Sequence, residues 1–264
     1  MNPTNKWKSF LEELVDPSTV DTSTIISKKD LAPGLWERGS MRADVLDTAM
    51  RIANDFFDSL DLDNIQIKDV ILTGSTASYN WSDLSDFDLH ILIDFNKLDN
   101  RELMEDYFKE KTKSWNRTHN ILIKGFEVEL YIQDSNEPHV ANGIYSLMEN
   151  RWLKRPTNYK LNIDYELVKE KAAKLMEDID ETYDLYAEKD FLLAQQTAVA
   201  LMEKIRRYRK TGLETGGIYS VENLVFKVLR RNEYLKKLSS IKTLAYDASM
   251  SLFERDKEYI TYKN

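Results

Sequence analysis

The sequence predicts an α+β protein in which a small mixed β-sheet is followed by a C-terminal helical bundle. Three observations support this prediction. The chain has 264 residues, which is enough for two units of ordinary size. Short apolar runs bounded by polar residues, typical of strands, are concentrated between residues 65 and 154. After Pro156 the apolar residues recur at spacings of three and four, as they do along one face of a helix.

The first part of the chain is predicted to form two helices joined by an extended lead-in. Residues 1–40 are expected to form an N-terminal helix and an extended lead-in, because 16–39 are rich in Ser, Thr, Asp and Pro without a clear period. Gly39-Ser40 can begin the next helix, which we expect to end within 61–64. Its apolar face has helical spacing: Val45, Ala49, Ile52, Phe56 and Leu60.

Residues 41–157 are predicted to form the sheet-containing domain. Its one further helix is expected over 99–118, where Leu103, Tyr107, Phe108 and Trp115 interrupt a charged sequence. A hairpin is expected to turn at Lys124-Gly125. The predicted strands are 65–72, 86–93, 121–123 and 126–132, with shorter ones at 143–147 and 151–154.

Residues 158–264 are predicted to form the helical domain. Two long helices are expected around 168–186 and 194–208, followed by a third that Ser220 begins and a fourth over 240–256. Gly212–Gly217 is expected to be a flexible turn.

Composition narrows the classes of protein that this chain can be. Lys and Arg total 37 against 45 Asp and Glu, a formal net charge of −8, which argues against non-specific coating of DNA or RNA. Without cysteine there is no disulfide, thiolate zinc site or thiol nucleophile, and a reducing cytoplasm is the expected location. No apolar run approaches the ~20 residues that cross a bilayer, and the charged N-terminal segment is not a signal peptide, so no membrane partner is expected.

The most informative segment begins where the 65–72 strand ends. Gly74-Ser75 follows that strand directly. A glycine there lets the backbone approach a ligand closely. The Ser75 hydroxyl and the amides around it can donate hydrogen bonds to phosphate oxygens, especially if a helix begins at this point.

Two aspartates follow on the next predicted strand. Asp86 and Asp88 are two residues apart, so they point to the same face of the strand. Adjacent carboxylates repel each other unless a cation lies between them. An Asp-x-Asp pair on an apolar strand is therefore a suitable site for Mg²⁺, which prefers oxygen ligands and bridges substrate phosphates. His90 lies on the same face of the strand. Its side chain has two alternative roles: a packed structural imidazole, or a contact with phosphate or metal.

A third carboxylate is available on the strand over 126–132. Glu127 and Glu129 share one face of that strand. If the strand lies beside the one that carries Asp86, either glutamate can complete a metal site. Glu129 is preferred because it lies deeper in the apolar run, and Glu127 remains the alternative.

This combination resembles the polymerase-β-type nucleotidyltransferase superfamily, over about residues 70–134. The resemblance lies in Gly74-Ser75, the Asp86-x-Asp88 pair about ten residues later and an acidic residue on a later strand. A helical C-terminal part is also usual in that family. Three phrases are further similar to uncharacterised nucleotidyltransferase-like proteins of tailed bacteriophages: Ser85–His90, Val128–Asp134 and Tyr219–Lys227.

The resemblance implies an activity and a role for each matched residue. Gly74 and Ser75 would bind the β- and γ-phosphates of a nucleoside triphosphate. Asp86 and Asp88 would hold two Mg²⁺ or Mn²⁺ ions, and Glu129 would ligate one of them, although most members of the family have aspartate at this third position. The reaction would move a nucleoside monophosphate from a triphosphate, ATP by default, to an acceptor hydroxyl and release pyrophosphate.

Basic residues of the helical domain are candidate contacts for the nucleotide and for an RNA acceptor. Residues 201–236 contain nine Lys and Arg against four Asp and Glu. Lys204 and Arg207 are the predicted contacts to the nucleotide, and the basic helices are expected to receive an RNA 3′-end, with the active site in the cleft between the two domains. The helix dipole alone also favours cations in a last turn.

Other acceptors remain open from the sequence. A protein hydroxyl, a small molecule or a second nucleotide, which would give a signalling oligonucleotide, is chemically equivalent to RNA at the metals. The alternative of another class is a catalytically inert module that binds a nucleotide or a toxin. The sequence predicts no particular oligomeric state.

Overall fold

The computed structural model describes residues 19–62, 65–139, 141–158 and 163–252. The described residues from 23 to 158 form one compact unit, and 19–22 with 163–252 form the other. The helix expected in 1–15 lies outside the described residues. The α+β class is confirmed, since a mixed sheet precedes a run of helices.

The first unit is built on a six-stranded mixed sheet. Two short strands, β1 (Trp36–Glu37) and β2 (Ser40–Met41), precede it in the chain. The strands of the sheet are β3 (Ile67–Leu72), β4 (Asp86–Ile93), β5 (Leu122–Ile123), β6 (Phe126–Asp134), β7 (Ile144–Ser146) and β8 (Arg151–Lys154). Their order across the sheet is β5-β6-β4-β3-β7-β8. Neighbouring strands are antiparallel, except for β4 and β6, which run parallel.

Two helices cover one face of this sheet. They are α1 (Ala43–Asp58) and α2 (Arg101–Thr118), and the rings of Phe56 and Trp115 meet edge to face at 6.0 Å between them. The sheet side chains beneath the helices are almost completely buried: Val70, Leu72, Phe87, Leu89, Ile91, Ile93, Val128 and Leu130. Because strand side chains alternate, the next residue of each strand points to the opposite face.

The opposite face has a much smaller apolar cluster. It contains Ile71, Leu92 and Ile144. On this face β4 and β6 otherwise present polar side chains, among them Asp86, Asp88, His90, Glu129 and Tyr131. One face of the sheet therefore supplies the core, and the other carries the residues with chemistry.

The lead-in forms a small hairpin of β1 (Trp36–Glu37) and β2 (Ser40–Met41) before α1. The predicted start of the second helix at Gly39-Ser40 is therefore wrong, since this helix, α1, begins at Ala43 after Arg42. Trp36 stacks on Trp152 with ring centroids 4.5 Å apart, and this contact keeps the hairpin on the sheet.

The second unit contains four helices among its described residues. They are α3 (Tyr165–Ala187), α4 (Phe191–Gly216), α5 (Val221–Arg231) and α6 (Tyr234–Met250). Ser220 accepts a hydrogen bond from the amide of Asn223, so the predicted cap of the third helix is confirmed. The last helix begins six residues earlier than predicted, and residues 253–256 of that prediction lie outside the described residues.

A buried ion pair joins α3 and α6. Lys237 is 2% exposed, and its ammonium donates to Asp180. The hydroxyl of Tyr234 donates to the other carboxylate oxygen of Asp180 at 3.1 Å. Every partner in this cluster is hydrogen-bonded, which offsets the cost of removing the charges from water.

The flexible turn predicted at Gly212–Gly217 is wrong, because α4 continues through Gly212 to Gly216. Gly212 is required for close packing between two helices. A Cβ at Gly212 would lie 2.5 Å from the Cβ of Glu222 and 2.6 Å from the hydroxyl of Ser220. The missing side chain lets the start of α5 pack directly on α4.

No described helix combines the length and the apolar character that crossing a bilayer requires.

We expect Gly212→Ala to destabilise the protein by roughly 1–3 kcal/mol, because the added methyl group has no space against α5. Thr211→Ala, at an exposed neighbouring position of the same helix, is the matched control and should change stability by less than about 0.5 kcal/mol. Urea unfolding followed by circular dichroism measures both. Equal stability of the two variants would show that the close approach of α4 and α5 is not what requires the glycine.

Candidate functional site

The parallel pairing of β4 and β6 brings the predicted acidic residues together in rows. Asp86 pairs with Glu127, and Asp88 pairs with Glu129. All four side chains lie on the face away from α1 and α2, because the intervening residues Phe87 and Val128 are in the core. The register therefore makes Asp86, Asp88 and both candidate glutamates neighbours on one face of the sheet.

The two glutamates differ in their surroundings. Glu127 is exposed, whereas Glu129 is partly buried. Glu129 also accepts a hydrogen bond at Oε2 from the hydroxyl of Tyr131. These features favour Glu129 as the third acidic residue of the site. Burial raises the pKa of the Tyr131 hydroxyl well above its usual range, with further contributions from Glu129, Asp88 and Asp86, so it remains a proton donor at neutral pH.

His90 belongs to the next row of the same face. It pairs with Tyr131, and the two rings stack with centroids 4.8 Å apart. Burial lowers the pKa of His90 to about 4, against a hydrogen bond with Gln133 that raises it, so the ring is neutral at neutral pH. Within the described residues its Nδ1 has no hydrogen-bond partner. The packed imidazole is the role that these contacts favour.

Gly74 lies against the carboxylate of Asp88. Its φ of +74° is a left-handed conformation, and a Cβ built there would be 1.8 Å from Oδ2 of Asp88. A side chain of any kind would therefore occupy the space of the aspartate. The sequence predicts a close approach of the backbone to a ligand at this glycine, whereas the close approach in the structure is to Asp88, a side chain of the protein itself.

Ser75 is held within the loop that joins β3 and β4. Its hydroxyl donates to the hydroxyl of Ser85 at 2.7 Å, and that oxygen also accepts from the amide of Ser82 at 2.9 Å. Residues 73–85 are a series of turns, and no helix begins there. The amides of a turn can still surround an anion, so a phosphate site here would use the loop rather than a helix N-terminus.

Hydrogen bonds of Thr76 and Tyr79 anchor the loop. The Thr76 hydroxyl donates to the carbonyl of Asp86 at 3.1 Å, and the indole of Trp36 donates to the carbonyl of Thr76 at 2.8 Å. The lead-in adds a bond from the amide of Lys28 to the carbonyl of Tyr79 at 2.7 Å. These bonds hold the Gly-Ser turn in a defined position beside β4.

The donor chemistry of the site fits a divalent cation. Asp86, Asp88 and Glu129 supply only carboxylate oxygens, which are the ligands that Mg²⁺ and Mn²⁺ prefer. Among the described residues, however, no three Asp, Glu or His side chains are already gathered into a group that could hold a metal. The strand register fixes the order of the carboxylates, and their oxygens would have to converge when an ion binds.

The predicted nucleotide contacts of the helical unit are both on α4. Lys204 pairs with Asp178 of α3 at 2.9 Å, and Arg207 is exposed. Nearby, the guanidinium of Arg209 lies 4.1 Å from the ring centroid of Phe226. Burial, together with Arg230 and Arg209, lowers the pKa of Lys227 to about 8. The nucleotide role of Lys204 and Arg207 stays a prediction.

Sequence reasoning missed three residues that organise the site. Tyr131 contacts Glu129, Ser85 binds Ser75, and Thr76 joins the loop to β4. Tyr131 could have been found, because it continues the face of Glu127 and Glu129 by the strand period of two. The serine and threonine contacts depend on the path of the loop, for which the sequence has no periodic signal.

Comparisons of the chain with models of protein families, with curated proteins and with solved structures give no match. The functional assignment therefore depends on the geometry of the site and on the motif that carries the family resemblance.

We expect Gly74→Ala to displace the carboxylate of Asp88. Gly125→Ala is the matched control, because Gly125 also has a positive φ, +91°, but has no atom within 4 Å of a built Cβ. Both variants should lose about 1–2 kcal/mol from backbone strain, and Gly74→Ala should lose about 1 kcal/mol or more in addition. Thermal unfolding measures the difference. The additional loss should disappear in an Asp88→Ala background, and its persistence there would contradict this explanation.

Proposed function

We propose that this protein is a metal-dependent nucleotidyltransferase that moves a nucleoside monophosphate from a nucleoside triphosphate to an acceptor hydroxyl and releases pyrophosphate. The observation that carries the proposal is the parallel register of β4 and β6, which sets Asp86 and Asp88 beside Glu127 and Glu129. The Gly74-Ser75 turn lies directly against this group, with Gly74 in contact range of Asp88. Acidic residues beside a turn of backbone amides suit a substrate that brings both phosphates and Mg²⁺.

The residues of the site have separate tasks in this reaction. Asp86, Asp88 and Glu129 would hold two divalent cations, which would supply charge neutralisation for an in-line displacement at phosphorus. The amides and hydroxyl of the Gly74-Ser75 turn bind and orient the phosphate chain. The anchored loop keeps that turn still, so the reacting groups are positioned before the reaction begins. No side chain is required as a nucleophile, because the acceptor hydroxyl attacks.

An RNA 3′-end is the acceptor that the charge distribution favours. Residues 201–236 have a net excess of five positive charges in a chain whose formal charge is −8. On α4 the side chains of Arg206 and Arg207 are exposed. A basic segment in an otherwise acidic chain favours the approach of a polyanion to that segment.

We expect the double variant Asp86→Asn/Asp88→Asn to lose pyrophosphate release by at least roughly 100-fold, because neutral amides would no longer hold the cations that neutralise the charge of the phosphates. The measurement is a coupled pyrophosphate assay with Mg²⁺ or Mn²⁺, each nucleoside triphosphate in turn and total cellular RNA. Asp47→Asn/Asp58→Asn, two exposed aspartates of α1, is the charge-matched control and should retain full activity.

The same assay compares the two glutamates. Glu129→Gln should lose activity, whereas Glu127→Gln should retain most of it.

If the wild-type protein releases no pyrophosphate with any triphosphate and acceptor, the enzymatic proposal is wrong. The inert nucleotide- or toxin-binding module is then the better description.

We expect Arg206→Glu/Arg207→Glu to weaken the labelling of RNA by α-labelled nucleotide and to make it less dependent on salt, because fewer phosphates are neutralised. Lys109→Glu/Lys113→Glu on α2 changes the net charge equally at exposed positions and is the control. Label that enters protein or a small molecule alone would contradict an RNA acceptor. Unchanged labelling of RNA would show that these arginines are not part of its binding surface.

A further inference from the structure

The hydroxyl of Tyr131 donates a hydrogen bond to the Glu129 carboxylate, at Oε2. Tyr131 comes two residues after Glu129 on β6, so both side chains lie on the same face of the strand. The hydroxyl contacts one of the two carboxylate oxygens, Oε2. The other oxygen, Oε1, can therefore bind a different ligand.

The position of the Tyr131 ring is determined by its neighbours rather than by Glu129. Tyr131 pairs with His90 across the parallel ladder, and the two rings stack at 4.8 Å with an interplanar angle of 21°. Strand register and ring stacking therefore fix where the hydroxyl lies. A donor that is fixed in this way restricts the rotamers open to the glutamate.

Glu129 needs such a donor because of the acidic residues around it. Asp88 pairs directly with Glu129, and Asp86 is one row away on the same face. Neighbouring carboxylates repel each other, which favours rotation of one side chain away from the group. A hydroxyl that donates to one oxygen of Glu129 opposes that rotation and holds the carboxylate in place.

We propose that Tyr131 is a positioning residue of the metal site: it holds Oε2 of Glu129 and thereby presents Oε1 to a divalent cation. This inference rests on the proposed function, since that function is what requires the cation. In addition, it assigns part of the metal affinity to Tyr131, which is not one of the acidic residues Asp86, Asp88 and Glu129.

The test is the affinity for Mn²⁺ alone, measured by titration calorimetry without nucleotide. Tyr131→Phe keeps the ring and its stacking on His90 and removes only the hydroxyl. We expect it to bind Mn²⁺ about 10–100-fold more weakly than the wild-type protein, which is the usual effect of losing a partner that orients a ligand. Tyr107→Phe is the control, because it removes a hydroxyl that donates to the carbonyl of Leu60 at 3.4 Å.

A double-mutant cycle separates positioning from a merely structural role. If Tyr131 acts through Glu129, then Tyr131→Phe should have no further effect on Mn²⁺ affinity in a Glu129→Gln background. Melting temperatures in the absence of metal identify any variant whose fold is changed. A fold defect would lower affinity in both backgrounds, and additive effects would therefore overturn the inference.

The possible failures are distinguishable. If the wild-type protein binds Mn²⁺ and Tyr131→Phe binds it equally well, the positioning role is wrong and the proposed function stands. If the wild-type protein binds no Mn²⁺ at millimolar concentration, the proposed function fails and the inference fails with it.

Discussion

The unbroken parallel pairing of β4 with β6 is the constraint on which the candidate site depends. The register runs from Asp86–Glu127 to Ile93–Asp134 without a bulge. The buried face of the same strands maintains this register, because a shift by one residue would move Phe87 and Leu89 out of the core and the aspartates into it. Burial of apolar side chains on one face thus determines which carboxylates are neighbours on the other.

A buried carboxylate secures the far end of this pairing. Asp134 is 2% exposed and accepts hydrogen bonds from the amides of Phe95 and Asn136 at 3.3 and 3.0 Å. Arg101 lies 3.0 Å from its other oxygen. Burial alone would raise the pKa of Asp134, but these bonds outweigh it and hold the pKa below its usual value. A buried charge that is paired and hydrogen-bonded in this way fixes where both strands end.

The face with the acidic residues contains features that oppose stability. Carboxylates stand side by side in two consecutive rows, and the buried Nδ1 atom of His90 has no hydrogen-bond partner within the described residues. Such arrangements are costly in a region that only supports the fold, and they are common where a site binds a ligand. The core beneath α1 and α2, with its fully buried strand residues, offsets this cost.

The sequence by itself determined the elements and the spacing of the acidic residues. The strand over 86–93 has its predicted bounds, and each helix predicted within the described residues is present, because hydrophobic period is a local signal that the fold preserves. The ends of α1, α4 and α6 differ from the prediction by several residues. The same local period is sufficient to place Asp86 and Asp88 on one face of their strand. Contacts over long separations carry no such signal in a single chain.

Only the tertiary structure decided which residues meet across the sheet and the bundle. It set Glu129 beside Asp88, brought Tyr131 to that glutamate, and placed Gly74 against Asp88. It also showed Gly212 as part of a helix, where local propensity predicts a turn. In each case the packing of distant segments outweighs the local preference, because the energy of burial depends on partners that the neighbouring sequence does not specify.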